Sequence, residues 1–267
     1  MLPFFQLGPV SVPAFGLLVA SAMIVAFLVL RKDMHRRAIA ADAEIFIAVP
    51  CLTGIVGAKL YHVLESPHEL FSDPFHLIFS QYGFAWFGGL IAGFAAFVFL
   101  TRRYHLSLLL MLDVGSPAAT LGYGVGRIGC FLAGDGDYGV PTSLPWGVSF
   151  PNGLVPTTQH VHPTPIYEFI VACIIAWLLW RLGGVQIRRL RAGRPSAFSH
   201  HGVIFAAYLV LTGVARFLVE FIRINPRSFF GLTNAQVASA ASIIAGVLIY
   251  AFLCRKSGAA RAHSQQR

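Results

Sequence analysis

Apolar runs recur along the whole length of this 267-residue chain, each near the ~20 residues that a helix needs to cross a bilayer. Seven are predicted, at residues 12–30, 43–64, 84–100, 106–128, 165–182, 202–222 and 234–254. With 56% hydrophobic and 12% charged residues, the chain lies outside the range of soluble domains, where about a quarter of residues are charged. The expected fold is all-α: a single polytopic transmembrane domain over residues 1–267 with about seven transmembrane helices. Residues 1–11 lack a basic leader, so the first run is expected to be retained as a span rather than removed as a signal peptide.

The formal net charge of +9 is explained by topology rather than by nucleic acid. Arg31, Lys32, Arg36 and Arg37 follow the first run, and Arg102 and Arg103 the third. Arg181, Arg188, Arg189, Arg191 and Arg194 follow the fifth, and Arg255, Lys256, Arg261 and Arg267 the seventh. All fall on one side of a seven-span chain, which the positive-inside rule makes cytoplasmic. The N-terminus is then expected outside, and residues 255–267 form a basic cytoplasmic tail, expected to be disordered. The Arg-rich stretch Gly183–His201 reads as a linker, and Ser66–Tyr82 as an amphipathic segment on the membrane surface.

Five basic residues break this pattern: Lys59, Arg127, Arg216, Arg223 and Arg227. Arg127 belongs to Gly126–Gly139, which reads G-R-I-G-C-F-L-A-G-D-G-D-Y-G. An ionised side chain near the hydrocarbon core costs roughly 2.5–3.5 kcal/mol on insertion scales, so it marks a candidate site. The glycines from Gly122 onward, followed by Gly-Asp-Gly-Asp, predict an interrupted helix over 122–139. In the sixth run, Arg216, Glu220 and Arg223 share one helical stripe. One carboxylate cannot neutralise two guanidiniums, so the surplus charge, with Arg127, points to an anion. Guanidinium binds phosphate through paired hydrogen bonds, and a phospholipid headgroup is the anion available at that depth.

Other polar residues admit blander readings. Glu168 falls in the first turn of the fifth run, where the helix dipole favours an acid. The prolines of His162-Pro163-Thr164-Pro165 suit a helix start. His162 is a candidate base or a hydrogen-bonding structural residue. His160-x-His162 lacks a third metal ligand, and Cys51, Cys130, Cys173 and Cys254 show no paired spacing, so no metal site or disulfide framework is indicated. Cys130 reads as a small structural residue. Asp113 is expected to partner a backbone or polar group, and Lys59 to snorkel or to pair with Asp135 or Glu220.

Taken in order, these motifs resemble the bacterial prolipoprotein diacylglyceryl transferase family. Gly126–Gly139 is similar to its Gly-Arg-x-Gly-Asn-Phe-x-Asn-x-Glu signature. Phe15-Gly16, Gly57-Ala58-Lys59-Leu60-Tyr61, Gly88-Gly89-Leu90 and Asp113 with Pro117 match other family positions. So do His162–Glu168, Arg216-Phe217-Leu218-Val219-Glu220, and Gly231-Leu232-Thr233 with Gln236. The resemblance implies transfer of the diacylglyceryl group of phosphatidylglycerol to the lipobox cysteine of a prelipoprotein signal peptide, with release of glycerol phosphate. It implies a multi-pass enzyme of the bacterial cytoplasmic membrane, the lipid bilayer as its medium, and no metal or organic cofactor. Carried over residue by residue, it makes Arg127, Arg216, Glu220, His162 and Asp135 the candidate catalytic residues. Arg127, Arg216, Arg223 and Gly139 become candidates for phosphate binding, supported by Lys59, Tyr61, Cys130, Asp137, Tyr167 and Glu168.

The departures fall among proton-handling groups. The family histidine before Gly-Gly-Leu is Phe87, its two signature asparagines are Cys130 and Ala133, and its glutamate is Asp135. One extra residue precedes Gly139, and two family tyrosines are Phe15 and Thr212. The thiol's base is therefore open among His162, Asp135 and Asp137. The alternative function is a non-catalytic or altered-specificity relative that binds phospholipid or lipoprotein.

Overall fold

A computed structural model describes residues 4–7, 10–80, 83–193, 199–228 and 230–265. Arg194 and Arg267, counted above in the charge pattern, lie outside the described residues, as do Gln81 and Tyr82. Helix dominates. A short antiparallel hairpin, β1 (Phe4–Leu7) and β2 (Val10–Pro13), leads into α1 (Ala14–Arg36) and α2 (Ala43–Glu65). The short helices α3 (Pro67–Ser72) and α4 (Pro74–Phe79) precede α5 (Trp86–Arg103) and α6 (Leu108–Ala133). A second hairpin, β3 (Val148–Phe150) and β4 (Thr157–Val161), is followed by α7 (Thr164–Arg191), α8 (Val203–Val219) with a 3-10 turn at Glu220–Ile222, and α9 (Asn234–Gln265).

Each predicted run is helical, and among the described residues six helices are long and apolar enough to cross a membrane. The remaining one, α5, has 18 residues and ends on Arg102 and Arg103, which shortens its apolar length. Three boundaries differ from expectation. The linker-like stretch is helical as far as Arg191, and the tail is helical to Gln265. The expected break in α6 comes late: the helix holds through Gly122 and Gly129, which lie so close to α1 that an added Cβ would sit 3.3 Å from Ala26 and 3.1 Å from Leu18. Small residues there permit helix contact. The chain turns only at Gly134 and Gly136, whose φ values of 59° and 90° favour glycine.

The chain forms two compact units, Met34–Met111 and the remainder, Met1–Asp33 with Leu112–Arg267. In the first of these, α2 packs on α5 across glycine backbones. A Cβ on Gly57 would lie 2.7 Å from the Gly88 carbonyl oxygen, and one on Gly88 would lie 2.4 Å from that of Gly57. Lys59 donates to the Ser80 carbonyl at 3.1 Å and to its hydroxyl at 2.9 Å. The amphipathic segment becomes α3 and α4, with Phe71, Phe75 and Phe79 exposed and Glu69, Ser72, Asp73 and His76 lining a cleft with His62.

In the larger unit, buried Asp113 accepts from the backbone N–H groups of Gly202 (2.7 Å) and Phe205 (2.8 Å) and from Gln186 Nε2 (3.2 Å). It thereby satisfies the otherwise unpaired amides at the start of α8, the backbone partnership its sequence position predicts. The segment between α6 and α7 is held by its own apolar cluster. Tyr138 stacks on Phe150 with ring centroids 5.1 Å apart, and Phe131 meets the same ring edge-on at 5.6 Å.

Candidate active site

The end of α6, the turn that follows it, the start of α7 and the end of α8 bring six charged side chains together. Glu168, on the second turn of α7, is the hub. Its Oε2 accepts from Arg127 Nη2 at 2.6 Å and from Arg223 Nη1 at 3.4 Å. Its Oε1 accepts from Arg216 Nη1 at 2.7 Å and from the Tyr123 hydroxyl at 2.5 Å. Asp137 forms a second bridge, accepting from Arg127 Nη1 at 2.5 Å and from Arg223 Nη2. Glu220 lies 3.0 Å from Arg216 Nη2 and accepts from Asn225 Nδ2 at 2.5 Å.

Burial explains why the pairing is so complete. The side chains of Glu220 and Glu168 are 0% and 5% exposed, whereas those of Arg216 and Asp137 reach 28% and 30%. An unpaired charge at such depth is severely penalised, so each carboxylate collects guanidiniums. Three carboxylates face three guanidiniums. The surplus of positive charge read from the sixth run is therefore not found, because Glu168 and Asp137 supply what Glu220 alone cannot. One donor remains: the buried Nε of Arg127 has no hydrogen-bond acceptor among the described residues, whereas that of Arg223 lies 3.5 Å from Glu220 Oε2.

Local chain geometry places these groups. Arg223 ends the 3-10 turn and pairs by a backbone bridge with Gly139. Gly139 donates its N–H to the His162 carbonyl at 2.9 Å. A Cβ there would lie 2.5 Å from the Ile222 carbonyl oxygen, so glycine is required by close approach. Its amide is thus committed to the chain. Thr164, at the first position of α7, donates to the Asp137 carbonyl at 2.5 Å. Trp146 Nε1 donates to the Tyr167 hydroxyl at 2.7 Å, which in turn lies 3.3 Å from His162 Nδ1.

Asp135 and Cys130 stand beside this network. Asp135 accepts from the backbone N–H of Asp137 at 3.3 Å, and one of its carboxylate oxygens lies within 4.8 Å of the Cys130 sulfur. Cys130 Sγ lies 3.5 Å from Arg127 Nη1. Burial, reinforced by the neighbouring Asp137 charge, pushes the Asp135 carboxyl above the usual carboxylate range. Burial works the same way on Asp137, but the Arg127 and Arg223 guanidiniums outweigh it and hold that carboxyl below the usual range. One ligand atom each of Cys130, Asp135 and Asp137 lies within 4.8 Å of the others, close enough to encircle an ion. They do not fit one well: Asp137 already carries two guanidiniums, whose charge would repel a cation.

The structure therefore joins Arg127, Arg216, Arg223, Glu220, Asp137 and Glu168 directly, with Asp135 and Cys130 in the next contacts. Lys59 and Tyr61 belong to α2 in the other unit. Sequence reasoning underrated Glu168, because its place early in a helix matched a dipole role; yet its side chain turns to three arginines. It missed Tyr123 altogether, although Tyr123 lies one helical turn before Arg127 on the same face. A carboxylate and a phenol facing an arginine in apolar helices were the available signals.

Six helices of membrane length among the described residues, with a buried arginine–carboxylate network at the ends of three of them, define a multi-pass membrane protein with a candidate anion-handling site. The family model described as prolipoprotein diacylglyceryl transferase matches residues 3–252, and the chain belongs to that family. It is 32% identical over 250 residues to the phosphatidylglycerol–prolipoprotein diacylglyceryl transferase of Clostridium tetani, covering 92% of this chain and 95% of that one. The enzyme of the same name from Geobacter sulfurreducens is 31% identical over 241 residues, covering 86% and 84%.

Proposed function

We propose that this chain transfers the diacylglyceryl group of phosphatidylglycerol to the lipobox cysteine thiol of a prolipoprotein and releases glycerol phosphate. The observation that carries this reading is the convergence of Arg127, Arg216 and Arg223 on Glu168, within a family named for that transfer. Oriented guanidiniums in a water-poor site stabilise charge that develops on a leaving phosphate. Arg216, the most exposed of the three, meets the phosphate first; Arg127 meets the leaving oxygen. The unpaired Nε donor of Arg127 is a group that a phosphate oxygen can satisfy. Glu168 and Glu220 hold the arginines in place.

In this reading the chain crosses the bacterial cytoplasmic membrane seven times, with α5 as the seventh span. The N-terminus and the site lie outside, and the basic tail lies inside. The bilayer supplies the lipid laterally. The match of Arg127, Arg216 and Glu220 to the family motifs, with Glu168 joining both arginines, favours transfer over a purely binding role, despite Phe87.

The test is turnover. Purified protein with phosphatidylglycerol and a lipobox peptide is expected to yield lipidated peptide and glycerol phosphate in equal amounts. Absence of both products, under conditions where the Clostridium tetani relative works, would exclude the reading.

A further inference from the structure

The transfer reading requires a base for the thiol, and the family histidine is Phe87 here. We infer that Asp135 takes the proton from the incoming thiol. The inference rests on that reading and on how the site distributes its hydrogen bonds.

The other carboxylates are spoken for. Glu168 accepts from three arginines and a tyrosine. Asp137 is bridged by Arg127 and Arg223. Glu220 is fully buried against Arg216, Arg223 and Asn225. A carboxylate held by guanidinium is stabilised in its charged form and accepts a proton poorly. His162 is engaged too. His162 Nδ1 lies 3.3 Å from the Tyr167 hydroxyl, which also accepts from Trp146 Nε1, and among the described residues no hydrogen bond joins the ring to Arg127, Arg216 or Arg223.

Asp135 differs on each count. Among the described residues it makes no ion pair, although ligand atoms of Asp137 and Cys130 lie within 4.8 Å of it. An ionised carboxylate offers about four acceptor positions, and the Asp137 amide takes one. The neighbouring thiol is informative. Cys130 Sγ lies 3.5 Å from Arg127 Nη1 and within 4.8 Å of an Asp135 oxygen, so a sulfur is accommodated there near both a guanidinium and a carboxylate. Partial burial also makes Asp135 more basic than an ordinary aspartate, which narrows the gap to a thiol of pKa about 8.5.

The step balances without a further reactant. The S–H bond breaks and its proton passes to the Asp135 carboxylate. The sulfur electron pair forms a bond to the glyceryl carbon as that carbon's bond to the phosphate oxygen breaks. The leaving electron pair stays on glycerol phosphate, opposite Arg127 and Arg216. Asp135 then releases its proton to water.

The experiment uses the full chain in phosphatidylglycerol nanodiscs with two lipobox peptides, one carrying cysteine and one carrying selenocysteine, whose selenol is already ionised at neutral pH. Asp135→Asn is expected to slow the cysteine peptide by about 100-fold or more and the selenocysteine peptide by less than about threefold. Asp135→Glu, a base on a longer arm, is expected to restore most of the cysteine rate, which also guards against misfolding as the cause. Equal slowing of both peptides by Asp135→Asn, or none, would overturn the assignment. Selective loss in His162→Gln instead would move the base to His162. If the unaltered chain turns over neither peptide, the transfer reading itself fails.

Discussion

Glu168 Oε2 accepts a hydrogen bond from Arg127 Nη2 at 2.6 Å, across 41 residues of sequence and between two different helices. The same carboxylate reaches Arg216 on a third helix at 2.7 Å. One buried acid thus sets the relative positions of two guanidiniums that the proposed chemistry places around a phosphate.

Replacing Glu168 with Gln keeps the shape but removes the charge. Arg127 and Arg216 would then share too little negative charge for their depth. A loss of about 3 kcal/mol is expected, the lower end for breaking a buried pair. Thermal unfolding in detergent should show a lower midpoint, and peptide lipidation should fall at least about 100-fold.

Arg127→Ala is expected to abolish lipidation, and Arg127→Lys should rescue little of it. Arg127 spans two acids, with Nη1 on Asp137 and Nη2 on Glu168. A lysine ammonium is a point charge and cannot reproduce that fork. Glycerol phosphate release by the Lys variant at more than about a tenth of the normal rate would remove Arg127 from its assigned role.

Asp135 should reveal an exchange of stability for activity. Its carboxyl is raised above the usual range, so ionising it in the folded chain is unfavourable. That penalty is absent below the unfolded value of about 3.9, grows as pH rises through the folded value, and is complete above it. Asp135→Asn is therefore expected to melt higher than the unaltered chain near neutral pH and to match it at acid pH. An Asn side chain can still accept from the Asp137 amide. Melting curves across pH settle the sign.

Gly88→Ala tests the contact between α2 and α5. The new methyl would lie 2.4 Å from the Gly57 carbonyl oxygen and 2.3 Å from the Tyr61 Cβ, so the helices must separate. Overpacking of this kind costs about 1–3 kcal/mol. A lower thermal midpoint is expected, whereas an unchanged one would mean that the helices part freely.

Much of the fold was legible because hydropathy is a local property: the seven apolar runs each became a helix. The boundaries were less so. The break after α6 depends on Gly134, and the glycines before it remain helical because α1 packs against two of them. The hairpin of Val148–Phe150 with Thr157–Val161 went unread, since its strands are short and its loop is rich in Gly and Pro. In the site, Arg127, Arg216 and Glu220 stood out as charges in apolar surroundings. The surplus of positive charge did not survive, because Glu168 and Asp137 come from elsewhere in the chain.

The sequence by itself determined that this is a membrane protein and singled out its arginines at the ends of spans as candidate site residues, since a charge in apolar surroundings is costly wherever the rest of the chain goes. It also placed Arg127 and the two aspartates in one motif. Only tertiary structure decided which acid answers which arginine. That choice left Asp135 outside the network and Glu168 at its centre. Ion pairing is a matter of distances between helices, and spacing along the chain does not encode them.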